Sequence, residues 1–500
     1  MMKITRLWLL LAFAACTSSP GVPELPSLIG LEPLVVQHIE RTQQIAIAAA
    51  NSNKAQKICD LGDVLFAYQF YDHATACYET ALAQEPDHPK WLYRLGRAHY
   101  EAGHIELAKP PLNDCYTYSH YTPAALWLAV AYIETGHENQ AIDTLTKIID
   151  AEPTNAAAFA KRGQVHLKLN SPGDAVSDLM QAADLQPGAT TVFASLAQAH
   201  ALLGDIETSR SYQERAGSEP PVVDDPIMAD ILALNNSSRY LSDKGMAAYN
   251  AGRINEAISY FEAALRSATN KSTLRLNLAA AFQSKGAYEH AKDQYLSVLI
   301  DDPDNAAAKF GMGVAMTKQG RQSEAIAWFQ EASRQGHVEA ELNLANALLR
   351  EGQFEAAIDS YKKLISKNTT LSDRCVIGLV HGLVAMNEGR SALTFVEQYP
   401  SRNEEINETH IRLLALYARS NSDLALAERM VNRNSRSTTT ATLETQAIVL
   451  NALGKHKEAM SIVSQLIKLA TSTNNKEAEL RWKEQLGAYK THKTWNPFKL

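Results

Sequence analysis

The sequence is short of most of what chemistry requires. Five cysteines occur in 500 residues; no two have metal-site spacing, and none lies in a C-x-x-C-H haem attachment. H-E-x-x-H, G-x-S-x-G, the phosphate-cradling G-x-x-x-x-G-K-[ST] and a G-x-G-x-x-G fingerprint after a strand are all absent. No catalytic residue, metal ligand or cofactor is therefore assigned, and a non-enzymatic role is expected. Strong charge of one sign is lacking too. A formal net charge of -7 gives no reason to expect nucleic acid as the main partner.

What the sequence has instead is a repeated phrase. From Lys57 to Pro86 it carries Leu61-Gly62, Leu65, Ala74, Tyr78, Ala81 and Pro86, and comparable marks return down most of the chain. Leu95-Gly96, Gly103 and Ala108 form a second copy. Tyr132, Gly136, Ala141, Leu145 and Pro153 form a third, and Gly163, Ala175, Leu179, Ala182 and Pro187 a fourth. After a weaker fifth copy at Leu196-Ala197 and Gly204, and an interruption, the period resumes at Gly245, Gly252, Ala257 and Phe261. It runs on through Leu278-Ala279, Met312-Gly313 and Leu344-Ala345, with fainter hairpins and one clearer copy at Gly454 and Ala459 beyond. Small residues where two helices cross, with larger apolar residues at i, i+3, i+4 and i+7 filling the seam, describe a helix hairpin. Each hairpin leaves an apolar face that only its neighbour can cover.

These residues resemble the tetratricopeptide repeat, whose pattern W-x2-L-G-x2-Y…A-x3-F…P they follow with the first Trp missing. The resemblance implies an all-α fold, a right-handed solenoid of helix hairpins. The spacing shortens at Ala325-x-x-Trp328-Phe329-x-x-Ala332-x-x-x-Gly336-x-x-x-Ala340, which resembles the Sel1-like variant of the repeat. A length of 500 residues does not then require several globular domains, because a solenoid's core grows with each unit.

The amino terminus reads as an address. Lys3 and Arg6 precede the apolar run Leu7 to Ala15, too short for a permanent bilayer span but suited to a secretory signal. Phe13-Ala14-Ala15-Cys16 resembles a bacterial lipobox, which implies cleavage before Cys16, acylation of its thiol and, with Thr17 next, retention at the outer membrane facing the periplasm. The alternative is a cleaved signal and a soluble periplasmic protein. Residues 17–30, with Pro20, Pro23 and Pro26, are expected to form an extended tether of about 3.1 Å per residue, and residues 31–54 a capping helix. A first array of repeats is expected over 55–216 and a second over 238–370, followed by degenerate hairpins to 470 and a terminal helix and tail to 500. Between the arrays, Pro220, Pro221 and Pro226 forbid a continuous helix, and Asp224-Asp225 reads as a solvated acidic step. A hinge between two arrays and an enlarged loop within one stack both satisfy that reading.

The four remaining cysteines, Cys59, Cys77, Cys115 and Cys375, read as small buried hydrophobes, with a Cys59 to Cys77 bond as the alternative. His99, His166 and His200 share one repeat position and read as packing residues rather than a metal ladder. In the resembled family the first helices of successive hairpins line a concave face. Carried over unit by unit, this puts Tyr93, Arg94, Arg97 and Tyr100, Trp127, and Lys161 and Lys168 on a groove suited to an acidic peptide or an anionic polysaccharide. A second groove would carry Asn277 and Asn343 at the sixth place of their repeats, with Asn346 and Arg350 beyond, resembling an amide ladder that holds a peptide backbone; Gly311 interrupts it. The function expected is a scaffold or adaptor for protein or peptide partners in the bacterial cell envelope. A narrower form is an exopolysaccharide-export scaffold, and a separate alternative is an accessory subunit of a periplasmic redox complex.

Overall fold

The computed structural model of the chain describes residues 21–367, 370–399, 403–418, 420–434 and 439–498. The signal run, Cys16 and most of the polar stretch Ser435 to Thr440 fall outside them. Among the described residues there are helices and connecting segments, and no strand.

Helix α1 (Pro33–Ala48) precedes five hairpins: α2 (Asn51–Ala67) with α3 (Tyr71–Leu82), α4 (Pro89–Glu101) with α5 (Ile105–Ser119), α6 (Thr122–Glu134) with α7 (Glu138–Ala151), α8 (Ala156–Lys168) with α9 (Pro172–Leu185), and α10 (Thr191–Leu202) with α11 (Ile206–Arg215). A short α12 (Pro226–Leu232) follows. The period then resumes with α13 (Ser238–Asn250), α14 (Ile254–Ser267), α15 (Ser272–Ser284), α16 (Tyr288–Asp301), α17 (Ala306–Lys318), α18 (Gln322–Arg334), α19 (Val338–Arg350) and α20 (Phe354–Ser366). The fainter carboxyl-terminal copies are helices as well: α21 (Ser372–Ala385), α22 (Gly389–Gln398), α23 (Glu404–Tyr417), α24 (Asn421–Asn434), α25 (Thr440–Ala452), α26 (His456–Ser472) and α27 (Lys476–Lys490). The chain divides into two compact units, Met1–Ala247 with Ser259–Thr269, and Ala248–Ile258 with Asn270–Leu500.

Each hairpin is built by the same three devices. At the crossing the first helix carries either alanine, as at Ala129, Ala197 and Ala279, or a glycine that lets a large side chain of the second lie against bare backbone. A Cβ on Gly62 would fall 2.7 Å from the Tyr78 ring, one on Gly96 2.5 Å from Leu112, and one on Gly313 2.5 Å from Phe329. At the turn, the first helix ends in a left-handed residue and the next amide reaches back to close it: His104 N–H donates to His99 O at 2.8 Å past Gly103, and Phe70 N–H to Leu65 O at 2.9 Å past Gln69. Between hairpins, a proline such as Pro153 or Pro303 precedes an asparagine, Asn155 or Asn305, whose side chain accepts from the third amide on and starts the next helix. The shortened unit keeps the scheme. Residues 335–337 alone connect α18 to α19, with His337 as cap, its ring stacked 4.4 Å from Phe310.

The histidine column is explained by the turn. His99, His166 and His200 are the residues whose carbonyls receive that closing amide. Their rings serve separate local carboxylates, His166 near Asp178 at 3.6 Å and His200 near Asp205 at 3.3 Å. Cys59, Cys77, Cys115 and Cys375 are all buried and free, and burial pushes the Cys77 thiol up to about 12 and Cys115 to about 11.

One segment departs from expectation. Residues 21–30 contain no helix, as their prolines dictate, but they are not a free tether: Val22, Leu25 and Leu28 pack against the first core. The carboxyl-terminal tail after α27 is packed as well. Phe498, 3% exposed, lies edge-on to His381 of α21, and Lys493 O accepts from the Asn451 amide of α25 at 3.4 Å.

Gln69 holds φ at +68°, where its sister turns use glycine or, as at Asn170 and Asn387, asparagine, and a side chain there costs about 1 kcal/mol. Gln69→Gly should therefore raise stability by about 0.5–1 kcal/mol in urea unfolding; an unchanged midpoint would show that the side chain's contacts offset the strain.

Candidate functional site

The first unit gathers the predicted groove residues and fills the groove with its own chain. Arg97 and Tyr100 of α4, Trp127 of α6 and Lys161 of α8 line one cavity of about 940 Å³, with Asp225, Met228 and Leu232 among the residues closing it. After α11 the chain turns back and runs along the inside of the array, from the fifth hairpin toward the first. We call residues 217–237 the strap.

The strap is held first by its backbone. Thr191 N–H donates to Glu219 O at 3.0 Å, and Glu219 N–H donates to the Thr190 hydroxyl at 3.1 Å. The Gln186 side chain then takes Val222 at both ends, accepting from its N–H at 2.8 Å and donating to its carbonyl at 3.2 Å. An amide supplies donor and acceptor together, so this contact is indifferent to the side chain it holds. Farther on, Asn235 donates to Ala67 O at the end of α2 at 2.7 Å, and Glu32 accepts from Ser238 N–H at 2.9 Å.

Asp225 is the strap's anchor. It accepts from the Tyr93 hydroxyl, from the Tyr121 hydroxyl at 2.8 Å and from Met228 N–H at 3.1 Å, the last contact starting α12. The Arg97 guanidinium stands 3.6 Å away. Arg97 is itself fixed, donating to Glu101 at 2.7 Å and to the Tyr93 oxygen at 3.3 Å with its plane 3.8 Å over Trp127. Trp127 in turn packs edge-on to Tyr100, whose hydroxyl donates to Glu134. Burial pushes both the Tyr93 and Tyr121 hydroxyls far above the usual phenol range, with Asp225 adding to the shift, so they remain donors. Asp225 is thus not a solvated acidic step, its carboxylate being only 15% exposed, whereas Asp224 beside it is exposed. Met228 and Ile231, one helical turn apart, are buried in the core of the first hairpins.

The other predicted residues are dispersed. Arg94 faces Asp63 at 3.3 Å and donates to Cys59 Sγ at 3.0 Å, while Lys168 donates to Ile133 O at 3.2 Å. In the second unit Asn277 and Asn343 are half-buried, and among the described residues neither side chain makes a hydrogen bond. Asn346 accepts from Tyr361 at 2.7 Å, the place Asp63 holds toward Tyr78 in the first hairpin. Arg350 is exposed. Gly311 interrupts the asparagines for a steric reason: a Cβ there would sit 2.2 Å from the Tyr295 ring. Sequence reasoning missed Gln186, Tyr121 and Asp225; Gln186, one residue before Pro187 at a hairpin junction, carried the only local signal, a polar amide free of helix duty.

Gly311→Asn, which would complete the row of asparagines, should instead destabilise the second unit by about 1–3 kcal/mol through overpacking; thermal unfolding at wild-type temperature would contradict this. Burial pushes Asp63 up to about 7, with Arg94 and the Tyr78 hydroxyl pulling the other way. A carboxylate whose folded pKa is raised binds its proton more tightly in the native state, so it costs stability progressively as pH rises from about 4 to 7. The stability of Asp63→Asn relative to wild type should therefore improve between pH 5 and 8; a difference constant with pH would refute it.

Known proteins match in the repeats. The tetratricopeptide repeat profile matches residues 59–108, 126–190, 242–297 and 276–336, and a second tetratricopeptide repeat profile residues 342–374. The chain is 33% identical over 101 residues to the photosystem I assembly protein Ycf3 of Prochlorococcus marinus (strain NATL1A), over 18% of this chain and 58% of that protein. To the Ycf3 of Synechococcus sp. (strain CC9605) it is 30% identical over 125 residues, 21% of this chain and 72% of that one. A crystal structure of MamA aligns with 33% of this chain and 90% of its own at 21% identity and a TM-score of 0.32, and MamA from Desulfovibrio magneticus RS-1 with 33% and 93% at 16% identity and a TM-score of 0.31. With repeat matches running through both units and a helix hairpin under each, the chain belongs to the tetratricopeptide repeat family.

Proposed function

We propose that the protein is a non-enzymatic scaffold that holds segments of protein partners in its concave grooves and works in the bacterial cell envelope. The observation that carries this reading is the strap: the first array holds an extended chain by side-chain contacts to its backbone at Gln186, a carboxylate clamp at Asp225 and two apolar anchors. Such a groove is equipped to hold peptide. That the curated relatives are described as assembly proteins is consistent with the same role. The strongly perturbed carboxyl group, Asp63, and the paired Glu341 serve ion pairs that join helices, Glu341 with Lys363 at 2.9 Å and Lys367 at 2.6 Å. Neither is placed as an acid or base facing a substrate.

The envelope setting rests on Phe13-Ala14-Ala15-Cys16 after a basic and apolar leader, with Cys16 as the lipid-bearing residue. The array would then work from the periplasmic face of the outer membrane, on protein or peptide partners.

In-cell crosslinking followed by affinity purification should capture a defined envelope protein with the wild-type chain. Cys16→Ala should move the chain from the membrane to the soluble periplasmic fraction or leave its leader uncleaved. Capture of no protein across repeated crosslinking would count against the scaffold, and unchanged membrane fractionation of Cys16→Ala against the lipid anchor.

A further inference from the structure

The strap is built like a ligand rather than like a repeat. It carries none of the small-residue marks of the hairpins, it enters the groove after Pro220 and Pro221, and its helix has only seven residues. Its hold on the array is made at separate points: the Gln186 bracket, the Asp225 clamp, Met228 and Ile231 in apolar seats with Ile227 and Leu234 packed against the same core, the Asn235 amide, and the Tyr68 hydroxyl on Leu234 O and Asn236. Between them it is loosely covered, with Val223 and Leu232 each 41% exposed. The cavity of about 940 Å³ left beneath it shows that the groove is wider than the segment that occupies it.

The groove's chemistry is also specific. Two phenol hydroxyls and a guanidinium converge on one carboxylate, and the guanidinium is pinned by Glu101 and by the face of Trp127 before any ligand arrives. Pre-organised donors of this kind select a carboxylate and discriminate against its amide, which would present a second donor to donors. The Met228 and Ile231 seats lie three and six residues beyond it, which fixes the register of a helical turn on a carboxylate cap.

We propose that residues 222–236 are a resident pseudo-ligand that gates the first groove, and that the partner which displaces them carries the same signature. That signature is an aspartate capping a short helix, with large apolar residues three and six positions later. This rests on the scaffold reading and names the partner's chemistry at that site. Binding is then a competition: the tethered strap is present at high effective concentration, and only a partner that matches the clamp and both apolar seats enters.

The test uses the full chain and a fluorescent peptide of residues 222–236, with a scrambled control. Asp225→Asn weakens the strap's anchor without altering its shape, so the labelled peptide should bind this variant about tenfold or more tightly than wild type. Adding Arg97→Ala to Asp225→Asn should remove that gain. A peptide that ignores a folded Asp225→Asn chain, or binds wild type equally well, overturns the proposal. So does an Asp225→Asn chain that becomes a dimer closed to peptide, because the occupant is then a second copy. Should Asp225→Asn not fold, hydrogen exchange on wild type decides. Strap amides that open well before the α4 and α6 amides support a gate, and strap amides that open only with them make the segment part of the core and overturn it. Because the peptide is defined, its failure leaves the capture of envelope partners standing as a separate question.

Discussion

The fold depends on one close approach, repeated. Where the crossing carries glycine, a backbone without a side chain meets a ring or a branched apolar group, as Gly62 meets Tyr78 and Gly163 meets Leu179; other hairpins put a buried alanine there, Ala129, Ala197, Ala279 and Ala345. Because the helices touch there, the apolar residues around the crossing are buried almost completely, and the remaining faces can be covered only by the next unit. Everything else in the chain is arranged by that stacking. The left-handed turns and the asparagine caps set where each helix stops and starts, and the carbonyls at His99, His166 and His200 close the turns whatever their side chains do. Polar residues inside the stack, Asp63 and Asn346 among them, are there to accept from a tyrosine hydroxyl that the crossing has buried.

Stacking leaves a row of first helices facing inward, and aromatic and basic side chains lie along that row. In the first unit the chain covers them itself. The strap sets Asp225 against Tyr93, Arg97 and Tyr121 and buries Met228 and Ile231 on the array. The carboxyl-terminal tail does something similar against α21 and α25, with Phe498 on His381 and Lys493 on Asn451. A charge held by two phenols and an arginine is strong only while it stays desolvated, so the clamp and the apolar seats support each other.

The hairpins were legible because glycine, alanine and proline recur for steric reasons that act within about 34 residues. Tyr93, Arg97, Tyr100, Trp127 and Lys161 followed from the resemblance to the repeat family, carried over position by position, and the structure brings four of them to one cavity. What covers them was not legible. The strap meets the array 104 residues away at Tyr121 and 132 at Tyr93, and nothing in a local pattern of prolines and two aspartates signals a partner that far along the chain. Asp225 therefore read as solvent-facing. Residues 21–30 misled for a related reason: their prolines exclude helix, but Val22, Leu25 and Leu28 were the sign that the segment would lie on an apolar surface. Asn346 was assigned by its place on the inward face, whereas its amide is already bound to Tyr361.

The central claim is that the first groove is filled by residues 217–237 of the same molecule, and a photocrosslinker reads this directly. With p-benzoylphenylalanine in place of Trp127, whose face carries the Arg97 guanidinium that meets Asp225, irradiation and peptide mapping should find the crosslink within that segment. Intramolecular crosslinks confined to neighbouring hairpins, with none to the strap, would contradict the account.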